Sequence, residues 1–489
     1  MQKKHQCLLL TATLVISACS SNNDSPLKDT SVTKGQANFT KYIALGDSYT
    51  AGYSDNALFI KGQEDSFPNI LSQQFAAADG GTFAIPLMND NVGGLLLSGK
   101  AIDGPRLFLN NGIPTQVSGL TTTEATNNLT GPFNNFGIPG AKSFHLRAPS
   151  YGDITGVLSE TANPYFARFA SSPTTTVISD AIAGDATFFS VFIGGNDILS
   201  YAISGGTGRD QTGNKNYLSY DNNDVTDPGL FADTYSALIE ALTTKDAKGV
   251  LANIPYVSTL PYFTTVHYNS ATLTQALADQ LNNGYDPYNQ GLQKLAQFGI
   301  LTTQEAERRT INFTAGNNAI VIEDKHLTDL TQHNLPSYRQ ATKEDLLVLT
   351  SSYFIGTLVN DDPLKVNGLS VPLADKWVLT PEETTLIIHT TDVYNMTINT
   401  IAQTKGLALA DIKSVMNKLH DEEIIFENIK LTSKYITGGV FSLDGIHLSA
   451  RGNALISNVF IEAINEKYKS TLKKVDLRKY PVNYTETIH

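Results

Sequence analysis

Two short stretches of the 489-residue chain combine residue types that can do nucleophilic chemistry. Gly46-Asp47-Ser48-Tyr49 follows directly on the apolar run Tyr42-Ile43-Ala44-Leu45, which reads as a buried strand entering a sharp turn. A serine placed there is presented at the carboxyl edge of a sheet. Gly46 lets the backbone turn, and a helix starting just beyond points free N–H groups toward an anion beside Ser48. Far downstream, Asp444-Gly445-Ile446-His447 sets a carboxylate three residues ahead of an imidazole. A turn of that length can bring the carboxylate to one ring nitrogen and leave the other free to accept a proton from a serine. Taken singly, the first stretch is also a plain glycine turn and the second a structural histidine.

Elements must exist to bring the two stretches together, and the hydrophobic pattern supplies them. Phe67, Ile70, Leu71 and Phe75 recur at helical spacing behind Ser66 as a possible N-cap. Residues 188–193 read as a second buried strand stopped by Gly194-Gly195, residues 231–248 as a helix ended by Gly249, and residues 250–254 as the next strand. Residues 319–322 read as a further strand. Thr380-Pro381-Glu382-Glu383 is a capping box that opens a helix with Ile387, Tyr394, Ile398 and Ile401 inward and Gly406 as its stop. Leu455, Ile456, Val459, Phe460, Ala463 and Ile464 mark a last helix. Apolar strands alternating with helices imply a parallel sheet in an α/β/α sandwich, with sites where the strands end. Residues 80–119 and 205–229, rich in Gly, Asn, Asp and Ser, read as long loops. The acidic stretch Asp221-Asn222-Asn223-Asp224-Val225-Thr226-Asp227 lacks the Gly and terminal Glu of an EF-hand and reads as a solvated loop.

In order along the chain, four blocks make it resemble the GDSL, or SGNH, family of serine hydrolases. Gly46-Asp47-Ser48-Tyr49-Thr50-Ala51-Gly52 is similar to the family's first block, with Tyr49 where Leu is usual. Asn135-Phe136-Gly137-Ile138-Pro139-Gly140-Ala141 resembles the second, Ile193-Gly194-Gly195-Asn196-Asp197 the third, and Asp444 with His447 the fifth. Asn253-Ile254-Pro255 looks like the strand end that often follows the third block. The resemblance implies a flavodoxin-like sheet and a catalytic set of Ser48, Asp444 and His447. It implies an oxyanion hole made of the N–H groups of Ser48 and Gly140 and the side-chain amide of Asn196, with Gly137 as the rival to Gly140. It implies ester hydrolysis with no cofactor and no metal. Asp47 and Asp197 read as turn-organising acceptors. His145, His267, His326, His333, His389 and His420 show no ligand spacing. Trp377 and the other aromatics read as core.

Composition agrees with a folded globular protein and excludes other classes. The chain is 41% hydrophobic and carries 35 Lys+Arg against 47 Asp+Glu, so a nucleic-acid partner is disfavoured. Lys3, Lys4 and His5 precede an apolar run over residues 8–16, short of the roughly 20 residues that span a bilayer, so residues 1–18 read as a signal peptide. Its end, Ile16-Ser17-Ala18-Cys19, resembles the bacterial lipobox, with Cys19 lipidated after cleavage. The only other cysteine, Cys7, lies in the discarded segment, so the mature chain has no internal disulfide. The expected organisation is a flexible tether over residues 19–38, a hydrolase domain with insertions over 39–474 and a tail over 475–489. The expected partners are an ester substrate, lipid or acylated carbohydrate, and the membrane of the bacterial envelope through the lipid anchor. Acyl-ester hydrolysis is the leading reading. Deacetylation of surface polysaccharide, or a non-catalytic binding lipoprotein on the same scaffold, are the alternatives.

Overall fold

A computed structural model describes residues 32–488. The signal segment, Cys19 and most of the expected tether lie outside the described residues. The apolar runs assemble into a mixed α/β fold around a five-stranded parallel sheet. Its strands are β1 (Tyr42–Gly46), β2 (Asn135–Gly137), β3 (Phe188–Phe192), β4 (Lys248–Ala252) and β5 (Ala408–Ala410), in the spatial order β2-β1-β3-β4-β5. Every residue of β1 and β3 is buried, which is why these strands are continuous apolar runs with no polar alternation. Register matters most at the carboxyl edge. Gly46 pairs with both Gly137 and Phe192, so β2, β1 and β3 end level with one another. The strand order reverses between β1 and β3, and such a switch point opens a crevice at that edge.

Helices α1 (Ser48–Ala51), α2 (Phe67–Ala76), α3 (Val177–Ala183), α4 (Asn196–Ile203), α5 (Pro228–Thr243), α6 (Gln275–Gln297), α7 (Pro381–Lys405) and α8 (Ala450–Tyr468) surround or extend this sheet. α2 packs on α8, where the Phe67 and Phe460 rings stack at 4.7 Å, and α5 packs on α7, where Phe231 and Tyr394 stack at 4.1 Å. The capping box on α7 is formed: Thr380 N–H donates to Glu383 Oε2 at 2.8 Å, and Gly406 closes the helix at φ +65°. Ser66 precedes α2 as expected, although its hydroxyl makes no cap bond.

Other expectations change. The helix expected over 231–248 ends at Thr243, and Gly249 lies inside β4, where a Cβ would come within 2.4 Å of the Phe189 ring. Gly249 is therefore a close-approach position. The run at 319–322 gives Val321–Glu323, which pairs antiparallel with Tyr338–Gln340 outside the main sheet. Residues 80–119 hold two hairpins, Leu95–Leu97 with Lys100–Asp103 and Leu107–Asn110 with Ile113–Gln116. The acidic stretch at 221–227 is not solvated throughout: Asp224 and Asp227 are buried, Asp224 accepting from Arg209 N–H at 2.9 Å and Asp227 capping α5 through Leu230 N–H at 2.7 Å.

The folded body also exceeds the expected limits of 39 and 474. Gln36 N–H donates to the Tyr468 carbonyl at 2.7 Å, Ala37 is buried and Thr33 N–H donates to Thr471 Oγ1 at 2.8 Å, so residues 33–38 of the expected tether belong to the folded body. The expected tail is pinned as well, since Tyr484 donates to Asp65 at 2.7 Å and Arg106 donates to the Thr485 and Glu486 carbonyls. Between residues 271 and 378 a second hydrophobic cluster forms a core of its own, built on α6 and short antiparallel pairs.

Candidate active site

β1 delivers its last residue into a space with no room for a side chain. A Cβ on Gly46 would lie 2.1 Å from Thr50 Oγ1 and 2.3 Å from the Phe192 carbonyl, so only glycine lets the chain turn there. Asp47 then caps α1, its carboxylate accepting from Tyr49 N–H at 3.1 Å, and Ser48 becomes the first helical residue. Burial pushes the Asp47 carboxyl up to about 7, opposed by the Tyr49 N–H and the nearby His447 ring.

The Asp444 turn arrives from the far end of the sequence. His447 Nε2 lies 2.9 Å from Ser48 Oγ, and His447 Nδ1 lies 2.9 Å from Asp444 Oδ2. A carboxylate can only accept, so Nδ1 carries the proton and Nε2 is the acceptor that faces the serine hydroxyl. Asp444 Oδ1 also accepts from Ile446 N–H and His447 N–H, both at 2.8 Å, and Oδ2 accepts from Asn56 N–H at 3.0 Å. Burial alone would raise the Asp444 carboxyl. The His447 ring and these N–H donors outweigh it and hold the group well below the usual carboxylate range.

Several bonds fix the turn in space. Tyr49 donates to the Ile446 carbonyl at 2.8 Å, Tyr262 N–H to the Gly445 carbonyl at 2.9 Å, and Tyr435 to the Leu443 carbonyl at 2.6 Å. Leu443 N–H donates to Asp55 at 2.9 Å, and Asp55 N–H to Ser442 Oγ at 3.1 Å. The Tyr53 ring stands 4.7 Å from the His447 ring and closes that side of the imidazole. No protein-family model, curated protein or solved structure matches the chain. What the site can do therefore rests on its own geometry.

The segments that carry Gly140 and Asn196 follow strands that end level with β1 at the edge where Ser48 stands. Gly140 adopts φ +79° and is exposed, and its N–H, like that of Ser48, has no acceptor among the described residues. The rival Gly137 has its N–H committed to Asn135 Oδ1 at 2.9 Å. Asn196 opens α4 and gives one amide hydrogen to the Ala141 carbonyl at 3.0 Å, which leaves the second free. Asp197 accepts from both the N–H and the hydroxyl of Ser143 at 2.8 Å, the organising role expected of it, as Asp47 fills its own. The site thus offers a hydroxyl within hydrogen-bond reach of an imidazole, a carboxylate that orients that ring, and N–H donors without acceptors among the described residues. Among the described residues, no group of three or more His, Cys, Asp or Glu side chains is placed to hold a metal ion. No helix among them is long and apolar enough to cross a membrane.

Sequence reading overlooked Tyr53, Asp55 and Asn56, which all lie within eight residues of Ser48. Proximity was their only signal, because an N–H donor or a ring beside an imidazole has no spacing signature. Tyr49, the residue that stands where Leu is usual in the resembled block, ties the helix that carries Ser48 to the histidine turn through its hydroxyl.

Proposed function

We propose that the protein is a serine hydrolase of the GDSL, or SGNH, type that cleaves carboxylic esters through an acyl-enzyme on Ser48. The observation that carries this reading is the unbroken relay from Ser48 Oγ to His447 Nε2 and from His447 Nδ1 to Asp444, with 2.9 Å at each step. The strand order, numbered along the chain as 2-1-3-4-5, and the two helix groups packed on α8 and α7 support a flavodoxin-like α/β/α sandwich as its scaffold. The lipobox resemblance at Cys19 supports anchoring in the bacterial envelope, with the body held near its membrane.

The reaction follows from the positions of the protons. Ser48 Oγ attacks the ester carbonyl carbon while its proton passes to His447 Nε2, and Asp444 stabilises the imidazolium that results. The carbonyl oxygen becomes an oxyanion facing the N–H groups of Ser48 and Gly140 and the free amide hydrogen of Asn196. Losing one such donor typically costs about 3–4 kcal/mol of transition-state stabilisation. Collapse breaks the bond to the alcohol, which leaves with the proton from His447. Water then repeats the sequence on the acyl-enzyme, releasing the acid and restoring Ser48. No cofactor enters.

The test is hydrolysis of p-nitrophenyl esters from acetate to palmitate by the protein lacking residues 1–19 and by its Ser48→Ala variant, with fluorophosphonate labelling of both. Ester turnover and labelling confined to the serine protein are expected. Equal turnover by the variant, or none by either protein, overturns the reading, and the second outcome leaves a binding lipoprotein.

A further inference from the structure

Next to Gly140 an open cavity of about 450 Å³ is lined by the polar His145, Tyr151, Glu160 and Asn222 and by apolar residues that include the exposed Ile102 and Leu158. It adjoins a second cavity of about 200 Å³ that shares the first four of these residues and adds Tyr217 and Tyr220. The wall is built rather than incidental. Asn163 Nδ2 donates to the Pro139 carbonyl at 2.8 Å and to Tyr151 Oη at 3.2 Å, tying this wall to the loop that carries Gly140.

Two donors in the wall are unspent. The backbone N–H of Lys142 donates to His145 Nδ1 at 3.1 Å, so the neutral ring carries its proton on Nε2, which has no acceptor among the described residues. Burial, aided by the Lys142 ammonium, pushes His145 down to about 3, so the ring stays neutral at physiological pH. Its face is stacked on Tyr151 at 4.4 Å, which fixes its orientation. Tyr151 Oη accepts from Asn163, and its own hydrogen has no acceptor either. At the rim, Glu160 and Asn222 supply acceptors, held to each other by a hydrogen bond.

A hydrocarbon chain in this space would rest on Ile102 and Leu158 but displace water from both donors without replacing its hydrogen bonds, a loss on the order of tenfold in affinity for each. A ligand bearing several oxygens would satisfy donors and acceptors together. The volume lies within the usual range for small-molecule sites. We infer that this cavity is the alcohol-side subsite of the reaction and takes a saccharide, with His145 and Tyr151 selecting acylated sugars over fatty esters. The inference rests on the serine-hydrolase reading for its chemistry. The ester bond to the sugar oxygen breaks, the acyl group passes to Ser48 Oγ, and the proton on His447 Nε2 goes to the departing sugar hydroxyl.

The test compares methyl 6-O-acetyl-glucopyranoside with octyl acetate, two acetyl esters that differ only in the alcohol. The protein lacking residues 1–19 is expected to favour the sugar ester in kcat/KM. His145→Phe, which keeps the stacking, and Tyr151→Phe are each expected to cut that preference about tenfold, mainly through KM. Unchanged preference in both variants overturns the inference and leaves the hydrolase reading intact. So does activity that rises from p-nitrophenyl acetate to palmitate and rises further in His145→Phe, since the cavity would then hold an acyl chain. Calorimetric binding of methyl glucopyranoside to Ser48→Ala, lost on adding His145→Phe, separates the two readings. Binding without any ester hydrolysis by the serine protein would retain the subsite and reject the hydrolase. Absence of binding at millimolar sugar rejects the subsite whatever the esterase activity.

Discussion

Asp444 receives four N–H groups, from His447 Nδ1, Asn56, Ile446 and its own His447 backbone, and each favours the anion. In this setting the carboxylate fixes the histidine tautomer, so Asp444→Asn should keep the turn but present the wrong nitrogen to Ser48. We expect kcat for p-nitrophenyl acetate to fall on the order of 10⁴-fold with little change in KM; a loss below tenfold would remove Asp444 from the relay. Titration separates Asp444 from its neighbours Asp47 and Asp55. The folded state depresses Asp444, so its contribution to stability is present above the unfolded value of about 4 and is lost only as pH falls further. Burial instead raises Asp47 and Asp55 to about 7, so between about pH 4 and 7 the folded chain binds more protons than the unfolded one. The contribution of these two groups must therefore fall as pH rises through that window, by up to about 1.4 kcal/mol per pH unit for each, while His145, held down to about 3, contributes in the opposite sense below its ordinary value. Asp55→Asn, which retains the acceptor for Leu443 N–H, should flatten the decline in urea-unfolding free energy between pH 5 and 7. An unaltered slope would show that Asp55 ionises freely.

At the scale of elements, the site depends on how closely β2 and α1 approach. Asn135 Nδ2 donates to the Thr50 carbonyl at 2.9 Å, and a Cβ on Gly137 would lie 2.1 Å from Ala51 N. Gly137→Ala must push α1, and Ser48 with it, away from His447. We expect a stability loss of about 3 kcal/mol, the upper end for overpacking, together with loss of esterase activity. Gly140→Ala differs, because open space surrounds that position and only its φ of +79° opposes a side chain. Strain of about 1–2 kcal/mol should displace the Gly140 N–H, the proposed oxyanion donor, without unfolding the sheet. Thermal unfolding and ester turnover of the two variants check the contrast; equal stability losses would refute it.

Over the whole molecule, the long interval between Asn196 and Asp444 contains a body with its own core over residues 271–378, and just before it Tyr262, which packs in the main core, holds the Asp444–His447 turn through its N–H on the Gly445 carbonyl. An ion-paired centre sits inside that body. The buried Arg339 donates to Asp324 at 2.6 Å and, as a two-pronged pair, to Asp345 at 2.6 Å for each prong. Asp345→Ala leaves part of the guanidinium unpaired away from water, a change that costs about 3–5 kcal/mol. Urea unfolding should show that loss. A shift under about 1 kcal/mol would mean that the body relaxes to admit water around Arg339.

The sequence by itself determined the local parts. Glycine at 46, an apolar run before it, an Asp three residues ahead of a His, and a capping box at Thr380 all act through neighbours in the chain, and the observed structure realises each of them. Helix limits and stray strands were less legible. Gly249 looked like a helix stop because a glycine that ends a helix and one that admits a Phe189 ring have the same letter. Residues 319–322 were apolar enough for the main sheet, but strand partnership is a choice among distant segments that hydrophobicity does not rank. Only the tertiary structure decided that Gly140 and not Gly137 keeps a free N–H, that Asn56 and Tyr53 flank the histidine, and that His145 holds an unspent donor beside Gly140. Those outcomes depend on which hydrogen bonds are already satisfied, and satisfaction is set by residues far apart along the chain that the fold makes neighbours.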